Sequence, residues 1–330
     1  MQLLRKLAFP LSLLYALVVF LRNRFYDYGW LPSRSFGTAV VCVGNLSVGG
    51  TGKTPMTEWI ISRLSTSKKL VVLSRGYRRK SRGFRIVNPD SSVAESGDEP
   101  LQMAIKFPEI TVAVDSNRTR GIHCIEQKYA PDVVLLDDAF QHRKVKPKLS
   151  ILLTAYGKLY SDDWYLPTGD LRDHRREARR ASAIVVTKCP ADMSDSEKSQ
   201  IIAQLKPRRG QMVLFASLVY NQELQGQKGV LSLDDLLGKH FTLVTGIANP
   251  GPLVDYLKGR QMHFEHRSYP DHHVFTKKEI TELEACAVVI TTEKDFMRLK
   301  DTLPNSYYLE VRHKFLGSDE KRLLALLAGL

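Results

Sequence analysis

The chain has 330 residues, 43% hydrophobic and 25% charged, with 21 Gly and 15 Pro; that balance excludes collagen-like, low-complexity and wholly disordered chains, and the length suggests about two domains. Lysine and arginine (48) outnumber aspartate and glutamate (35) for a net charge of +13, which points to an anionic partner: nucleic acid, an anionic membrane surface or a phosphorylated small molecule. Cys42, Cys124, Cys189 and Cys286 lie far apart with no CxxC pair, which excludes a zinc ribbon or disulfide framework and fits a reducing compartment.

Between Arg5-Lys6 and Arg22 runs LAFPLSLLYALVVFL, fifteen residues without a charge. A full membrane span needs about 20 apolar residues, and no small-x-small cleavage site follows, as a signal peptide would require. The chain continues RNRFYDYGW, basic and aromatic, which suits a membrane interface. A buried core helix is the plainer alternative. The expectation for residues 1–36 is a helix lying in or partly entering a membrane, followed by a connector.

From Thr38 the pattern becomes short apolar runs separated by helical or polar stretches. TAVVCVGN (38–45), KLVVLSR (69–75), ITVAVD (110–115), DVVLLDD (132–138), LSILLTA (149–155) and AIVVTK (183–188) read as strands. Their near-continuous apolar character is that of a parallel sheet covered on both faces. PMTEWIISRL (55–64) and EPLQMAIKF (99–107) read as helices between them. The expected fold is α/β, a doubly wound, mainly parallel sheet over residues 37–215. MVLFASLVYNQELQGQKGVLSL (212–233) holds two strand-like runs flanking a polar, glycine-containing stretch, which places a β-hairpin linker over 216–236. The α/β rhythm restarts at HFTLVTGIAN (240–249) and ends in the helical DEKRLLALLAGL, giving a smaller α/β domain over 237–330.

VCVGNLSVGGTGKTP (41–55) carries the strongest chemical signal. A buried strand ends at Asn45, a glycine-rich loop follows, and Lys53-Thr54 open a helix, the context a P-loop requires. Gly49, Gly50 and Gly52 let backbone N–H groups turn toward phosphate oxygens; Lys53 adds charge at the β- and γ-phosphates, and Thr54 can reach Mg2+. The first glycine of the usual pattern is Ser47 here. A P-loop needs an acidic partner at the end of a neighbouring strand, and VVLLDDAFQH supplies Asp137 and Asp138. A nucleoside triphosphate with Mg2+ is therefore expected.

A GTPase should carry an N/TKxD base-reading motif, but VVTKCPAD has Pro190 where the aspartate belongs. Arginines crowd SRGYRRKSRGFR (74–85) and LRDHRREARR (171–180); a charge run is usually a solvated face, the reading kept for Arg176, Arg179 and Arg180. Arg75, just after a buried strand, stands where ligands collect in open α/β sheets. Asp98 of GDEP precedes a helix and reads as an N-cap or as a cleft carboxylate. Asp271, His272 and His273 read as a solvated turn or as a base-orienting site; the four-ligand set of a structural zinc is missing.

Taken in order, the N-terminal apolar helix, VGNLSVGGTGKTP, LSRGYRRK, GDEP, VDSNRTRG, LLDDAFQH, LPTGDLRD, VVTK, TGIANP, YPDHH and TTEKD resemble the tetraacyldisaccharide 4'-kinase (lipid A 4'-kinase) family of P-loop proteins nearly end to end. The resemblance implies transfer of the γ-phosphate of ATP to the 4'-hydroxyl of a tetraacylated glucosamine disaccharide 1-phosphate, at the cytoplasmic face of a Gram-negative inner membrane. It also implies two α/β domains with the site in the cleft between them. By motif it assigns Ser47, Val48, Gly49, Gly50, Thr51, Gly52, Lys53 and Thr54, with Gln141 and His142, to the nucleotide. Thr54, Asp137, Asp138 and Asp173 fall to Mg2+, although Asp173 stands where the family usually has Glu. Asp98 becomes the catalytic base paired with His272, acting with Lys53. Arg75, Tyr77, Arg118 or Arg120, and Arg172 fall to the substrate headgroup or phosphates. Partners are then the acylated lipid and the membrane surface, with no nucleic acid and no obligate protein. The competing class is a P-loop regulatory GTPase or ATP-driven chaperone, and a basic nucleic-acid-binding ATPase lacks any supporting motif.

Overall fold

The computed structural model describes residue 5 and residues 7–330. Helix α1 spans Phe9–Asp27, with Pro10 in its first turn, a position where the missing N–H is no loss. Strand β1 (Ala39–Asn45) leads through the glycine-rich loop into α2 (Lys53–Leu64). There follow β2 (Leu70–Ser74), β3 (Arg85–Val87), α3 (Val93–Ser96), α4 (Asp98–Lys106), β4 (Thr111–Val114), α5 (Arg118–Tyr129), β5 (Val133–Leu136) and β6 (Leu149–Ala155). A 3-10 turn over Arg175–Arg180 precedes β7 (Ala183–Thr187) and α6 (Asp195–Leu205). The rest comprises β8 (Met212–Gly226), β9 (Gly229–Ser232), β10 (His240–Thr245), α7 (Gly251–Gly259), β11 (His263–Ser268), α8 (Lys277–Glu284), β12 (Val289–Thr292), α9 (Glu293–Leu299), β13 (Ser306–Phe315) and α10 (Asp319–Ala328).

All strands but β9 form one path, β11-β10-β12-β13-β8-β7-β6-β1-β5-β2-β4-β3. The strands around β1 are parallel and buried on both faces, as their unbroken apolar runs require. From β1 the chain moves outward on one side to β2, β4 and β3, and later on the other to β6, β7 and β8. The carboxyl end of β1 is thus a topological switch point, where open α/β sheets leave a crevice. Apolar side chains of α2, α4, α9 and α10 cover one face, including Met56, Leu101, Phe296 and Leu323. Those of α5 and α6, including Ile122, Ile125 and Ile201, cover the other.

The segment 212–233 does form a hairpin, β8 with β9, but with a shorter turn than expected. Its polar residues Asn221–Gln225 belong to a continuous 15-residue strand, and the turn is confined to Gln227-Lys228. The first part of β8 pairs in parallel with β7, and the part from Ala216 to Gly226 pairs antiparallel with β13. Cross-strand partners on both sides hold the polar stretch extended, so pairing overrides composition. One strand therefore carries the sheet from its N-terminal half into its C-terminal half.

The N-terminal helix is apolar on the wrong side for a core element. Ser12, Tyr15, Val19 and Asn23, spaced i, i+3, i+7 and i+11, face the protein, while Leu11, Leu13, Leu14, Leu17, Val18, Phe20, Leu21 and Phe25 are exposed. Among the described residues no helix is long and apolar enough to cross a membrane.

Candidate active site

At the end of β1 the chain turns through residues 46–52, with Gly49 and Gly52 at φ +106° and +82°, conformations open to glycine. The loop is fastened from behind. Asn45 Nδ2 donates to Thr51 Oγ1 at 2.9 Å, and Thr187 Oγ1, from the end of β7, donates to the Thr51 carbonyl at 2.8 Å. His313 of β13 donates from Nε2 to the Gly52 carbonyl at 2.9 Å, beside the helical bond from Met56 N–H. A carbonyl only accepts, so Nε2 carries the proton and Nδ1 is bare; Nδ1 is buried without a partner. Burial pushes His313 down to about 4, which keeps it neutral. Because a trans peptide aims its C=O and N–H in opposite directions, these anchors turn the Gly52 and Lys53 N–H groups toward the mouth of the loop, where the α2 N-terminus also favours an anion.

Lys53 Nζ lies 3.8 Å from Asp138 Oδ1. Burial lowers the Lys53 ammonium, opposed by Asp138. Burial would raise the Asp138 carboxyl, but Lys53 and Arg172 outweigh it and hold it below the ordinary range. Its neighbour Asp137, on hydrogen bonds to Thr57 Oγ1 (3.2 Å) and Ser74 Oγ (3.5 Å), is pushed up to about 6 by burial and by Asp138. Asp138 itself is held at φ +44°, a strained conformation of the kind that gathers at functional sites. Thr54, Asp137 and Asp138 form an all-oxygen donor set next to a phosphate cradle, and a buried carboxyl short of positive charge fits a hard divalent cation.

Asp98 opens α4, where Gly97 packs its backbone against Gly76 and Tyr77 beyond the end of β2. It is buried, and its Oδ2 lies 3.0 Å from Nδ1 of His272, which comes from the turn after β11 and sits at φ +62°. Arg298 of α9 bonds the same oxygen. Tyr77 is exposed, its ring 5.6 Å from the His272 ring. His273, by contrast, binds Glu279 of α8 at 3.1 Å and stacks on Tyr269, so it faces away from Asp98.

The remaining expected residues divide. Gln141 donates to the Asn45 carbonyl at 2.6 Å, and His142 is lowered to about 4 by burial and by Arg118, its Nε2 buried without a partner. Ser47 Oγ is likewise buried and unpartnered. Arg75 is exposed beside the crevice. Arg118 is buried, its guanidinium on the carbonyls of Asp115 and Ser116 and facing Asp137 and Asp138. Arg120 is clamped by Asp115 through bonds of 2.7 and 2.8 Å, so of the two arginines only Arg118 faces the acidic pair.

Two expectations need correction, and a third residue has a protein partner beside the site. The Val48 N–H donates to the Asp170 carbonyl at 2.7 Å and is directed away from any phosphate. Asp173 does not join the acidic pair: Asn23 Nδ2 (2.6 Å), Arg22 (3.1 Å) and its neighbour's N–H (2.8 Å) occupy both oxygens, making it the anchor of α1. Arg172 is turned inward onto Asp138 (2.8 Å) and the Asn45 side chain, where it supports the loop and the acidic pair.

Sequence reasoning missed Asn45, Thr187, His313, Lys294 and Arg298 as parts of this site. The available signal was the Lys294, Asp295, Arg298 spacing, which places Lys294 and Arg298 on one face of a helix after a buried strand. Nothing in the sequence around His313 announces its contact.

A family model described as Tetraacyldisaccharide-1-P 4'-kinase matches residues 4–329. The chain is similar to the tetraacyldisaccharide 4'-kinase of Flavobacterium johnsoniae (44% identical over 326 residues, 97% of this chain and 95% of that protein). A Bacteroides thetaiotaomicron protein of the same name is 42% identical over 316 residues, covering 90% and 83%. Among solved structures, LpxK from Aquifex aeolicus in complex with ATP superposes with a TM-score of 0.79 at 30% identity, over 98% of each chain.

Proposed function

The chain belongs to the tetraacyldisaccharide 4'-kinase family, and from that premise we propose how its own residues carry out phosphoryl transfer. The enzyme is an ATP-dependent lipid kinase that moves the γ-phosphate of ATP to the 4'-hydroxyl of a tetraacylated glucosamine disaccharide 1-phosphate, yielding the 4'-phosphorylated lipid A precursor. The loop amides and Lys53 hold the triphosphate. Mg2+ held by Thr54, Asp137 and Asp138 would neutralise charge on the β- and γ-phosphates. Asp98 takes the proton from the 4'-hydroxyl as its oxygen bonds to the γ-phosphorus and the bridging oxygen leaves with ADP; His272 orients Asp98. Transfer of this kind is mostly positioning and charge stabilisation, so Arg75 and Arg118 serve by holding phosphate oxygens.

The observation that carries this reading is the Asp98–His272 pair at 3.0 Å, set beside a P-loop with its own acidic pair. A molecular switch needs the loop and the acidic pair but no buried carboxylate–imidazole pair.

The enzyme works at the cytoplasmic face of the inner membrane. What supports this is the outward apolar side of α1 and, beside it, exposed Trp164, whose ring lies 5.5 Å from Phe9. Such a helix lies in the interface with its apolar side among acyl chains, and the +13 charge favours an anionic leaflet by about 1 kcal/mol per basic residue near the surface.

The test is label transfer from γ-labelled ATP and Mg2+ with and without a detergent-solubilised disaccharide 1-phosphate lipid. Labelled lipid is expected, lost in Lys53→Ala and reduced at least about 10²-fold in Asp98→Asn. ATP hydrolysis indifferent to the lipid, with no labelled lipid, would transfer the case to a switch or chaperone.

A further inference from the structure

Helices α4 and α9 come from opposite halves of the sheet and lie against one another. Two charge pairs and a hydrogen bond join them: Asp98 with Arg298, Glu99 with Lys294 at 2.5 Å, and the Lys106 ammonium on Glu293 at 2.9 Å. Arg298 is fixed at both ends. Its side chain is 8% exposed, and its other terminal nitrogen binds Asp295 at 2.9 Å. Asp295 is in turn held by the Gly246 N–H (2.9 Å) and Thr292 Oγ1 (2.7 Å). The guanidinium that reaches Asp98 is therefore built into the C-terminal half.

Its terminal nitrogen also lies 3.0 Å from His272 Nδ1. Arginine only donates, so this contact would be a hydrogen bond only to a bare Nδ1. Were Nδ1 bare, its lone pair would face the carboxylate oxygen 3.0 Å away. With the proton on Nδ1, both nitrogens donate to one oxygen and no lone pairs oppose.

We propose that Arg298 is a positioning residue for phosphoryl transfer: from the opposite half of the molecule it holds the Asp98 carboxylate, and through it the Nδ1–H form of His272, so that the proton-accepting pair is assembled only while the two halves are in contact. The proposal rests on the reading of Asp98 as the base. The groups facing Asp98 are Arg298, Lys294 and Asp295 from α9, His272 with Asp271 behind it at 3.8 Å, Tyr77 against the imidazole, and Glu99 on its own helix. Burial would raise the Asp98 carboxyl, but Arg298, then His272 and Lys294, outweigh it and keep it below the ordinary carboxylate range. Removing Arg298 leaves burial the upper hand.

Arg298→Met, Arg298→Gln and Arg298→Lys are compared with Asp98→Asn by kcat and KM for both substrates across about pH 3 to 9. Arg298→Met should lower kcat by about 10²-fold with KM for ATP little changed. Its acid limb should move upward by about one to three pH units, and Arg298→Lys should restore most of both. If the Met variant does not fold, Arg298→Gln, which keeps donors without the charge, reads the same limb. A variant with wild-type kcat, or a loss of kcat with an unmoved limb and no rescue by lysine, overturns the proposal. Near-normal turnover in Asp98→Asn overturns the base assignment itself, a result separate from any behaviour at Arg298.

Discussion

His313 holds a bare, buried Nδ1, a group whose desolvation costs about 1–3 kcal/mol when nothing replaces water. Packing alone would be better served by an apolar side chain of the same shape, so the Nε2–H bond to the Gly52 carbonyl gives the imidazole its purpose. The ring also sets the room around the loop, because a Cβ at Gly52 would lie 3.0 Å from it. His313→Leu should raise KM for ATP several-fold, on the order of the 1 kcal/mol typical of one hydrogen bond, while kcat for the bound substrates changes less. An unchanged KM for ATP would show that the loop holds its shape from Met56 and Thr187 alone. At this scale sequence was a partial guide. Lys53, Thr54, Asp137 and Asp138 were legible because their chemistry needs contiguous motifs. His313 and the partner of Arg298 were not, because these contacts span 261 and 200 residues of chain, distances no local pattern records.

Helix α1 shows the same division at the scale of an element. Its length and basic flank were readable, but its inward face depends on a partner segment more than a hundred residues away. Tyr15 donates to the Arg172 carbonyl (2.9 Å), Ser12 to Thr168 (2.7 Å) and Asn23 to Asp173 (2.6 Å). That same 163–173 segment accepts the Val48 amide and places Arg172 on Asp138, so the helix is tied to the nucleotide loop through one connection. Asn23→Leu leaves the buried Asp173 oxygen short of a donor and should lower unfolding free energy by about 1–3 kcal/mol, measured as a shift of the urea midpoint at constant slope. An unmoved midpoint would mean the tether bears none of the stability. Strand positions in the N-terminal half followed directly from their apolar runs, whereas residues 221–225 were misjudged because their extended form comes from pairing with β13 rather than from their own composition.

Across the whole molecule the two halves meet around Lys106, whose ammonium binds Glu58 at 2.6 Å, Glu293 at 2.9 Å and Glu310. Among the described residues these three carboxyls could surround a metal ion, and the ammonium already occupies their centre. Burial, then Glu58, pushes Glu293 up to about 8, and burial raises Glu58 as well. The native state thus keeps a proton that the unfolded chain releases near 4.5, so stability declines as pH rises from that value toward 8. Glu293→Gln should flatten the fall of Tm over this interval; parallel curves for the two proteins would exclude Glu293 as its source. The shared strand β8 has a further consequence, for how such a chain can be divided. A cut near residue 215 would leave residues 212–215 on β7 and residues 216–226 on β13, but it would take from the N-terminal half helix α10, whose Leu323 and Leu327 share its core, and the His313 contact to Gly52. The halves are therefore not modules that could be exchanged, shortened or inherited separately, and whatever shapes the lipid end of this enzyme must be accepted together with the end that holds the nucleotide.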